Sequence, residues 1–203
     1  MTRSSAPDPK SDLHRYLRDA RQAVLWKLDG LSEYDLRRPM TPTGTNLLGL
    51  VKHLTGAEAL YFGATFGRPF DAPPLWITGD AEPDADFWAT PEESRELIVD
   101  GYRTAWAHAD AVIDALALDA VGRVPFEPHP ELTLQQALLH MVAETGRHAG
   151  HADVVRELID GAAGLRERDS NLPPGDRERW AAHRARVEHA ARTAADRAPA
   201  AGG

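Results

Sequence analysis

The chain contains no cysteine among its 203 residues. It therefore has no disulfide framework, no thiolate metal site and no cysteine nucleophile of its own. Any thiol chemistry that this protein carries out must use a thiol supplied from outside the chain.

Positive charge is also in short supply. Lysine and arginine number 23 against 31 aspartates and glutamates, which gives a formal net charge of −8. A protein with this balance repels a phosphate backbone rather than attracting one, so we expect no nucleic-acid partner.

Long hydrophobic runs are missing as well. The amino-terminal segment MTRSSAPDPKSD lacks the apolar stretch of a secretory signal. No later run approaches the roughly 18 consecutive apolar residues that a membrane helix needs. We therefore predict a cytoplasmic protein with no membrane partner.

The length suits one domain, since domains commonly contain about 100 to 200 residues. Both ends of the chain are polar and rich in alanine, arginine or proline. We predict a single domain over residues 11–195, flanked by flexible tails at 1–10 and 196–203.

The chain has a clear helical periodicity. Four segments repeat apolar residues at helical spacing, and we predict helices over 11–31, 46–66, 90–118 and 133–161. The connection between the second and third is long and rich in proline, glycine and aspartate. A final, weakly apolar stretch around Trp180 and Val187 predicts a further helix. The fold class is therefore all-α, a four-helix bundle with a long crossover between helices two and three plus a carboxy-terminal helix.

Two helix starts carry the pattern of a capping box. In the first, Thr90 precedes a proline and is followed three residues later by Glu93. In the second, Thr133 is followed three residues later by Gln136. We expect helices three and four to begin at these positions.

The last bundle helix places ionisable groups on its apolar side. At about 100° per residue, His148 lies roughly 40° from Glu144, and His151 lies roughly 20° to the other side of it. Four apolar residues lie on or beside the same stripe: Ala137, Met141, Ala152 and Val155. We therefore expect this stripe to face the core, where a carboxylate and two imidazoles need partners.

A metal ion would satisfy these groups together. Glu144 and His148, four residues apart, can reach one ion from a single helix, and His53 stands alone on the apolar face of the second helix. We predict that His53, Glu144 and His148 are ligands of one divalent metal.

Metal-free interpretations remain open for the same residues. His53 by itself suits a core histidine bonded to a backbone carbonyl, and Glu144 would suit a salt bridge to Arg147 or Arg103. We interpret His140 as a neighbour of the stripe rather than a ligand. The other histidines are interpreted as surface or loop residues: His14, His108, His129, His183 and His189.

Three segments resemble the DinB-like superfamily: GTNLLGLVKHLTGAEALYF, ADFWATPEESRELIVDGYRTAWAHADAVIDAL and, most specifically, LLHMVAETGRHAGHADVVRELIDG. Within it, the chain is similar to the actinobacterial branch related to mycothiol-dependent maleylpyruvate isomerase and to the bacillithiol and mycothiol S-transferases. The resemblance covers about residues 11–195. No clear counterpart of the isomerase's separate carboxy-terminal domain is found.

The resemblance implies an up-down-down-up bundle that holds a divalent metal, usually zinc or nickel, at one end of its core. The family's first ligand falls on His53, and its pair on the last bundle helix falls on Glu144 and His148. His151 occupies a position that is often glutamine in other branches. A fourth ligand and an acid–base group are both open as roles for it.

The function that follows is transfer or isomerisation with a low-molecular-weight thiol, mycothiol, acting on a small electrophile. His151 would move the proton, Arg147 and Arg156 would contact the thiol cofactor, and Trp76 and Trp88 would wall the substrate pocket. A homodimer is also possible.

Two other functions fit the same residues. In the first, the protein is a metal-dependent hydrolase in which Glu144 or His151 serves as base. In the second, it is a metal-stabilised bundle without enzymatic activity.

Overall fold

The protein is described by a computed structural model over residues 8–197, except 72, 78–80, 126, 127, 129, 168 and 171. Its α-helices are α1 (Pro9–Trp26), α2 (Glu33–Arg37), α3 (Leu47–Glu58), α4 (Arg95–Ala115), α5 (Leu134–Asp160) and α6 (Arg177–Arg197). Two short antiparallel strands, β1 (Val121–Arg123) and β2 (Glu131–Thr133), precede α5. The chain divides into two compact units, one up to Ser170 and one from residue 171 onward.

The first unit is a four-helix bundle of α1, α3, α4 and α5, as predicted. Residues 53 and 61 of α3 and the turn that follows it contact residues 144 and 140 of α5, so these two helices run antiparallel. Lys52 of α3 meets Glu93, just before α4, and Gly63 lies near His108 farther along α4. α3 and α4 therefore run in the same direction, which requires the long crossover between them and gives the up-down-down-up order.

α1 is displaced from its predicted bounds. Asp8 caps it by accepting a hydrogen bond from the backbone N–H of Lys10, and the helix ends at Trp26 rather than near 31. Gly30 adopts a left-handed conformation in the turn that follows. A short α2, capped by Ser32, comes next and was not predicted.

α3 begins at its Asn46 cap, as predicted, but it does not continue to 66 as a regular helix. It ends at Glu58, continues as a π-helical turn over Ala59–Gly63, and closes as a 3₁₀ turn over Ala64–Phe66. A π-helical turn loosens the helix without ending it.

The predicted start of helix three is wrong. α4 begins at Arg95, with Ser94 as the cap that accepts from the backbone N–H of Leu97. Glu93 does accept from the backbone N–H of Thr90 at 2.8 Å, but its carboxylate also binds the buried ammonium group of Lys52 at 2.9 Å. Pairing with Lys52 ties the end of the crossover to α3, and the helix starts two residues after Glu93, at Arg95.

The predicted start of helix four is confirmed. Thr133 and Gln136 form a complete capping box, and α5 ends at Gly161, which has a left-handed φ of 82°. The β1–β2 hairpin before it has only three residues in each strand, too few to produce an alternating pattern that could have been recognised.

A closed polar cluster lies inside the bundle, and we define it as His14, Arg21, Glu58 and Asp110. Arg21 donates from Nε and Nη2 to the two carboxylate oxygens of Glu58 at 2.6 and 2.7 Å, and from Nη1 to Asp110 at 2.6 Å. His14 Nε2 lies 2.8 Å from the same Asp110 oxygen. His14 is only 8% exposed, so its interpretation as a surface or loop residue is wrong. Its ring is turned into the bundle because it pairs with the carboxylate of Asp110 on α4.

The second unit contains α6, which has no buried residue within the described part of the chain. Val187 is 57% exposed, and His183 and His189 lie on the exposed surface, as predicted. His108 is half-buried, with Nε2 2.7 Å from the backbone oxygen of Arg68, while His129 lies outside the described residues. None of the described helices has the length and apolar character of a membrane span.

Candidate metal site

The structure brings His53, Glu144 and His148 together. Glu144 Oε1 lies 3.3 Å from Nε2 of His53 and 3.0 Å from Nε2 of His148. One ligand atom from each residue lies within 4.8 Å of the others. We call these three residues the open cluster.

Helix geometry accounts for the meeting. Glu144 and His148 are one turn apart on α5, so both side chains reach the same point beside α3. His53 lies seven residues after the Asn46 cap, two turns into α3, and the antiparallel packing of α3 and α5 places it opposite the pair. The convergence therefore depends on two helices and one packing arrangement.

The open cluster lies at the edge of the core, whereas the sequence pattern predicts a position in the interior. The side chains of His53, Glu144 and His148 are 24%, 27% and 12% exposed. The next residue on α5, Thr145, about 100° around the helix from Glu144, is fully buried. His151, at the outer side of the stripe, is exposed.

The arrangement of acceptor atoms suits a cation. Two imidazole nitrogens face one carboxylate oxygen, and their lone pairs would repel each other unless a proton or a metal ion lies between them. A tetrahedral ion with ligand bonds of about 2.0–2.1 Å holds its donor atoms about 3.3 Å apart. The two nitrogen–oxygen separations, 3.3 and 3.0 Å, are close to that value, and all three donor atoms lie within 4.8 Å of one another, so this donor set suits a zinc-like ion.

The electrostatics keep the cluster ready for a cation. Burial raises the pKa of Glu144, but hydrogen bonds with His53 and His148 more than offset this, so its pKa lies below the ordinary value. Burial lowers the pKa of His148, with a hydrogen bond to Glu144 opposing the shift. A charged carboxylate beside a neutral imidazole is the form that binds a metal.

Asp86 completes the surroundings of His53. Its carboxylate lies 2.9 Å from Nδ1 of His53, and this contact leaves Nε2 of the ring turned toward Glu144. Sequence analysis missed Asp86, because it lies on the irregular crossover, where no periodic pattern marks a residue as inward-facing.

The crossover is docked closely on α3 at this point. Asn46 donates from Nδ2 to the backbone oxygen of Phe87 at 3.0 Å, and Lys52 donates to that of Trp88 at 2.7 Å. A Cβ added at Gly49 would lie 1.9 Å from the backbone oxygen of Phe87, so only glycine permits this approach. The Phe87 ring stacks on His53, with centroids 4.9 Å apart and planes 17° apart.

Two clefts meet the open cluster from either end of the groove between α3 and α5. The larger has a volume of about 520 Å³ and is bounded by His148 and His151 together with Phe87 and Trp88. The smaller, about 390 Å³, is bounded by His53, Glu144 and Asp86, among others. Each end of the cluster is thus open to a small molecule.

The remaining predicted residues separate into near and distant ones. His151 lies beside the cluster, with its Nδ1 3.3 Å from Nδ1 of His148, and the exposed Arg147 is one turn before it on α5. Trp88 borders the larger cleft. Trp76 borders neither cleft of the open cluster, but it lines two others, one of which it shares with Trp88.

The structure does not bring Arg156 to the cluster. It lies eight residues beyond His148, or about 12 Å along the helix. Its guanidinium donates to the carboxylate of Asp160 and to the backbone oxygens of Lys27 and Asp29. These contacts close the end of α1 and do not support contact with a thiol cofactor.

The metal-free interpretations can also be compared with the contacts. His53 bonds to the carboxylates of Asp86 and Glu144 rather than to a backbone carbonyl, and Arg103 pairs with Asp100. His140 stacks on the ring of Tyr61 at 4.2 Å, next to the smaller cleft, as a neighbour of the cluster.

Comparisons with known proteins agree with the fold. A crystal structure of a conserved protein from Enterococcus faecalis superposes with a TM-score of 0.59 at 17% sequence identity, covering 77% of this chain and 100% of that protein. Among curated proteins, none matches the chain. The sequence profile described as "Mycothiol-S-transferase" matches residues 12–161, which include all four bundle helices from their second turn or earlier and every residue of the open cluster. The chain therefore belongs to the mycothiol S-transferase family, a DinB-like family, as the sequence motifs predicted.

Proposed function

We propose that this protein binds one divalent metal ion, zinc or alternatively nickel, through His53, Glu144 and His148, and transfers mycothiol to a small electrophile. The observation that carries the proposal is the convergence of two Nε2 atoms and one carboxylate oxygen beside two open clefts. The family match supports mycothiol as the thiol. A reducing cytoplasm, which keeps such thiols reduced, is the compartment that this chemistry needs.

When bound, a divalent ion would favour the thiolate form of an incoming thiol over the thiol form, and the thiolate is the nucleophile. The residues of the chain prepare the site for it. Asp86 holds His53 in one orientation, and Glu144 supplies the negative charge. With three protein ligands, positions remain open for a small molecule, which is the arrangement of a catalytic site.

The reaction is a displacement at carbon. The thiol loses its proton to the imidazole of His151, which faces the larger cleft. A sulfur–carbon bond forms as the bond from that carbon to its leaving group breaks, and the leaving group departs with the electron pair. Arg147 is exposed and one turn from His151 on α5, and we expect its guanidinium to contact polar groups of the thiol.

Metal analysis tests the ligand set. Protein purified without a histidine tag should contain close to one metal ion per chain, and His53→Ala and His148→Ala should each lose most of it. The matched control is His183→Ala, which removes an exposed histidine of α6 and should retain the metal. Full metal retention in both cluster variants would end the assignment.

Thiol dependence tests the reaction. Conjugation of mycothiol to monochlorobimane should require both the metal and the thiol, and removal of the metal with a chelator should abolish it. Turnover of a substrate without added thiol would instead indicate a metal-dependent hydrolase. Binding of neither thiol nor electrophile by the metal-loaded protein would indicate a metal-stabilised bundle without this activity.

A further inference from the structure

The larger cleft beside the open cluster has an aromatic wall, and we call it the aromatic cleft. Its described lining includes Leu50, Phe87, Trp88, His148 and His151. Phe87 and Trp88 are 48% and 50% exposed. Large aromatic side chains bury much of their surface in most folded proteins, so two neighbouring ones that remain half-exposed in a cleft indicate a binding surface.

This wall is formed before any ligand arrives. The backbone oxygens of Phe87 and Trp88 accept hydrogen bonds from Asn46 and from the buried ammonium group of Lys52. Because Gly49 has no side chain, the backbone of the crossover can pack directly against α3 at Phe87. A preformed surface binds a ligand without the cost of ordering a loop.

The wall is also continuous with the proposed metal ligands. The ring of Phe87 lies nearly parallel to that of His53, 4.9 Å away, and His148 lines the same cleft as Phe87 and Trp88. A flat molecule that packs against Phe87 and Trp88 therefore has one edge beside the open cluster.

The charge of the cleft restricts what it can bind. Among the described residues that line it, there is no lysine or arginine, while Asp84 contributes a negative charge. Away from the edge beside His148, where the proposed metal ion and thiol would lie, a carboxylate or phosphate on the ligand would lose hydration without gaining a cationic side chain as a partner.

We infer that the aromatic cleft binds the electrophile and that this electrophile is an uncharged compound with a flat apolar body, such as a substituted aromatic ring, whose reactive carbon faces His148. This inference rests on the proposed function and names its substrate class. In the displacement, a sulfur–carbon bond forms, the bond from carbon to the leaving group breaks, and the thiol proton goes to His151.

The first test measures selectivity in the transfer reaction. With mycothiol as the thiol, kcat/KM is compared for 1-chloro-2,4-dinitrobenzene, which is flat and uncharged, and for iodoacetamide, which is small and lacks a ring. Trp88→Ala should reduce the ratio of kcat/KM for 1-chloro-2,4-dinitrobenzene to kcat/KM for iodoacetamide about fivefold to tenfold, because stacking on the indole ring is lost. Trp88→Phe should restore most of this ratio, because an aromatic face is present again. A ratio that stays unchanged, or an equal loss with both compounds, would overturn the inference.

The control removes an exposed aromatic ring elsewhere. Tyr34 of α2 is 73% exposed and lines neither cleft, so Tyr34→Ala should leave the ratio at its wild-type value. Circular dichroism of the Trp88 variants checks that the bundle is intact.

The second test separates this inference from the proposed function. The unreactive parent of monochlorobimane, which has a methyl group in place of the chloromethyl group, is titrated into metal-free protein while its fluorescence is followed. Binding that Trp88→Ala weakens would support the cleft even if wild-type protein transferred no thiol. Equal binding by wild type and Trp88→Ala, or no binding at millimolar dye, would overturn it.

Discussion

The two polar clusters of the bundle differ in where their positive charge comes from. In the closed cluster, the guanidinium of Arg21 pairs with Glu58 and Asp110, and the Arg21 and Glu58 side chains are 1% and 0% exposed. In the open cluster, the contacts of Glu144 are with His53 and His148, and no lysine or arginine pairs with it among the described contacts.

The difference separates structure from function. A buried carboxylate that has its cation within the chain is satisfied, and its role is to hold helices together. A carboxylate between two imidazoles at the margin of the core, with clefts on either side, has no cationic partner among the described side chains other than the imidazoles, and we propose that its cation is a metal ion from solution. The comparison predicts that mutations in the two clusters affect different properties of the protein.

The largest effect is expected from Arg21→Met. This change leaves Glu58 buried without its cation, and burial already raises the pKa of Glu58. We expect a loss of about 3–5 kcal/mol in the free energy of unfolding, measured by urea denaturation of the metal-free protein.

A double variant isolates the cause of that loss. Arg21→Met with Glu58→Leu removes both charges and should recover much of the stability, because an apolar pair replaces an unpaired charge. Metal content per folded chain should be unchanged in both variants. A double variant as unstable as the single one would show that packing of Arg21, rather than its charge, stabilises the bundle.

The opposite result is expected from Glu144→Gln. This change removes the negative charge of the open cluster, and we expect metal affinity to fall by more than about 100-fold, exceeding the loss typical of residues that only orient ligands. The unfolding free energy of the metal-free protein should change by less than about 1 kcal/mol, since Glu144 is 27% exposed. Titration of the metal and urea denaturation measure the two quantities separately.

Both clusters show what sequence can and cannot predict. Glu144 and His148 were found because a turn of helix places residues four apart on one face, and His53 because it interrupts an apolar face. The same signal was present for Arg21, which is four residues after Leu17 and three before Val24 on the buried side of α1.

What the sequence could not predict is which elements would meet. Periodicity identifies the inward face of a helix, but the pairing of Arg21 with Glu58 depends on how α1 packs against α3. The edge position of the open cluster also depends on packing, since the helix packing buries Thr145 fully and leaves its neighbour Glu144 27% exposed. The four prolines and four aspartates of the crossover indicated a loop, but they did not indicate that Asp86 would reach His53.

A smaller effect on the open cluster is expected from Asp86→Ala. Without this carboxylate, His53 can rotate or change tautomer, and metal affinity should fall about 10-fold to 100-fold. Asp86→Asn, whose amide oxygen can still accept from Nδ1–H, should retain more affinity than the alanine variant. The exposed Glu82 of the crossover gives a matched control for loss of charge, and Glu82→Gln should bind metal as the wild type does.

A measurement without metal distinguishes positioning from ligation. Glu144→Ala removes the carboxylate that faces Nε2 of His53. Nitrogen-15 NMR of this variant without metal should find the proton of His53 on Nδ1, beside Asp86, and a mixture of tautomers when Asp86→Ala is added. A Glu144→Ala protein with the proton of neutral His53 on Nε2 would contradict the role of Asp86 even if the wild type binds metal.

The smallest effect concerns the closed cluster and depends on pH. Burial raises the pKa of Asp110, but hydrogen bonds with Arg21 and His14 more than offset this, so its pKa in the folded protein lies below the ordinary value. A carboxylate with a lowered folded-state pKa contributes stability that is complete above its unfolded-state pKa of about 3.9 and is lost as the pH falls through the folded-state pKa.

Asp110→Asn should therefore be less stable than wild type by about 1 kcal/mol at pH 7, a figure kept low because the side chain is 33% exposed. This difference in unfolding free energy should persist down to about pH 4 and shrink below it, where the wild-type carboxylate is protonated. The exposed Asp100 provides the control. The difference in unfolding free energy between wild type and Asp100→Asn should not shrink in this way as the pH falls. A difference between wild type and Asp110→Asn that stays constant to pH 2 would mean that Asp110 stabilises the bundle by its shape and neutral hydrogen bonding, and that the cation of the closed cluster serves Glu58 alone.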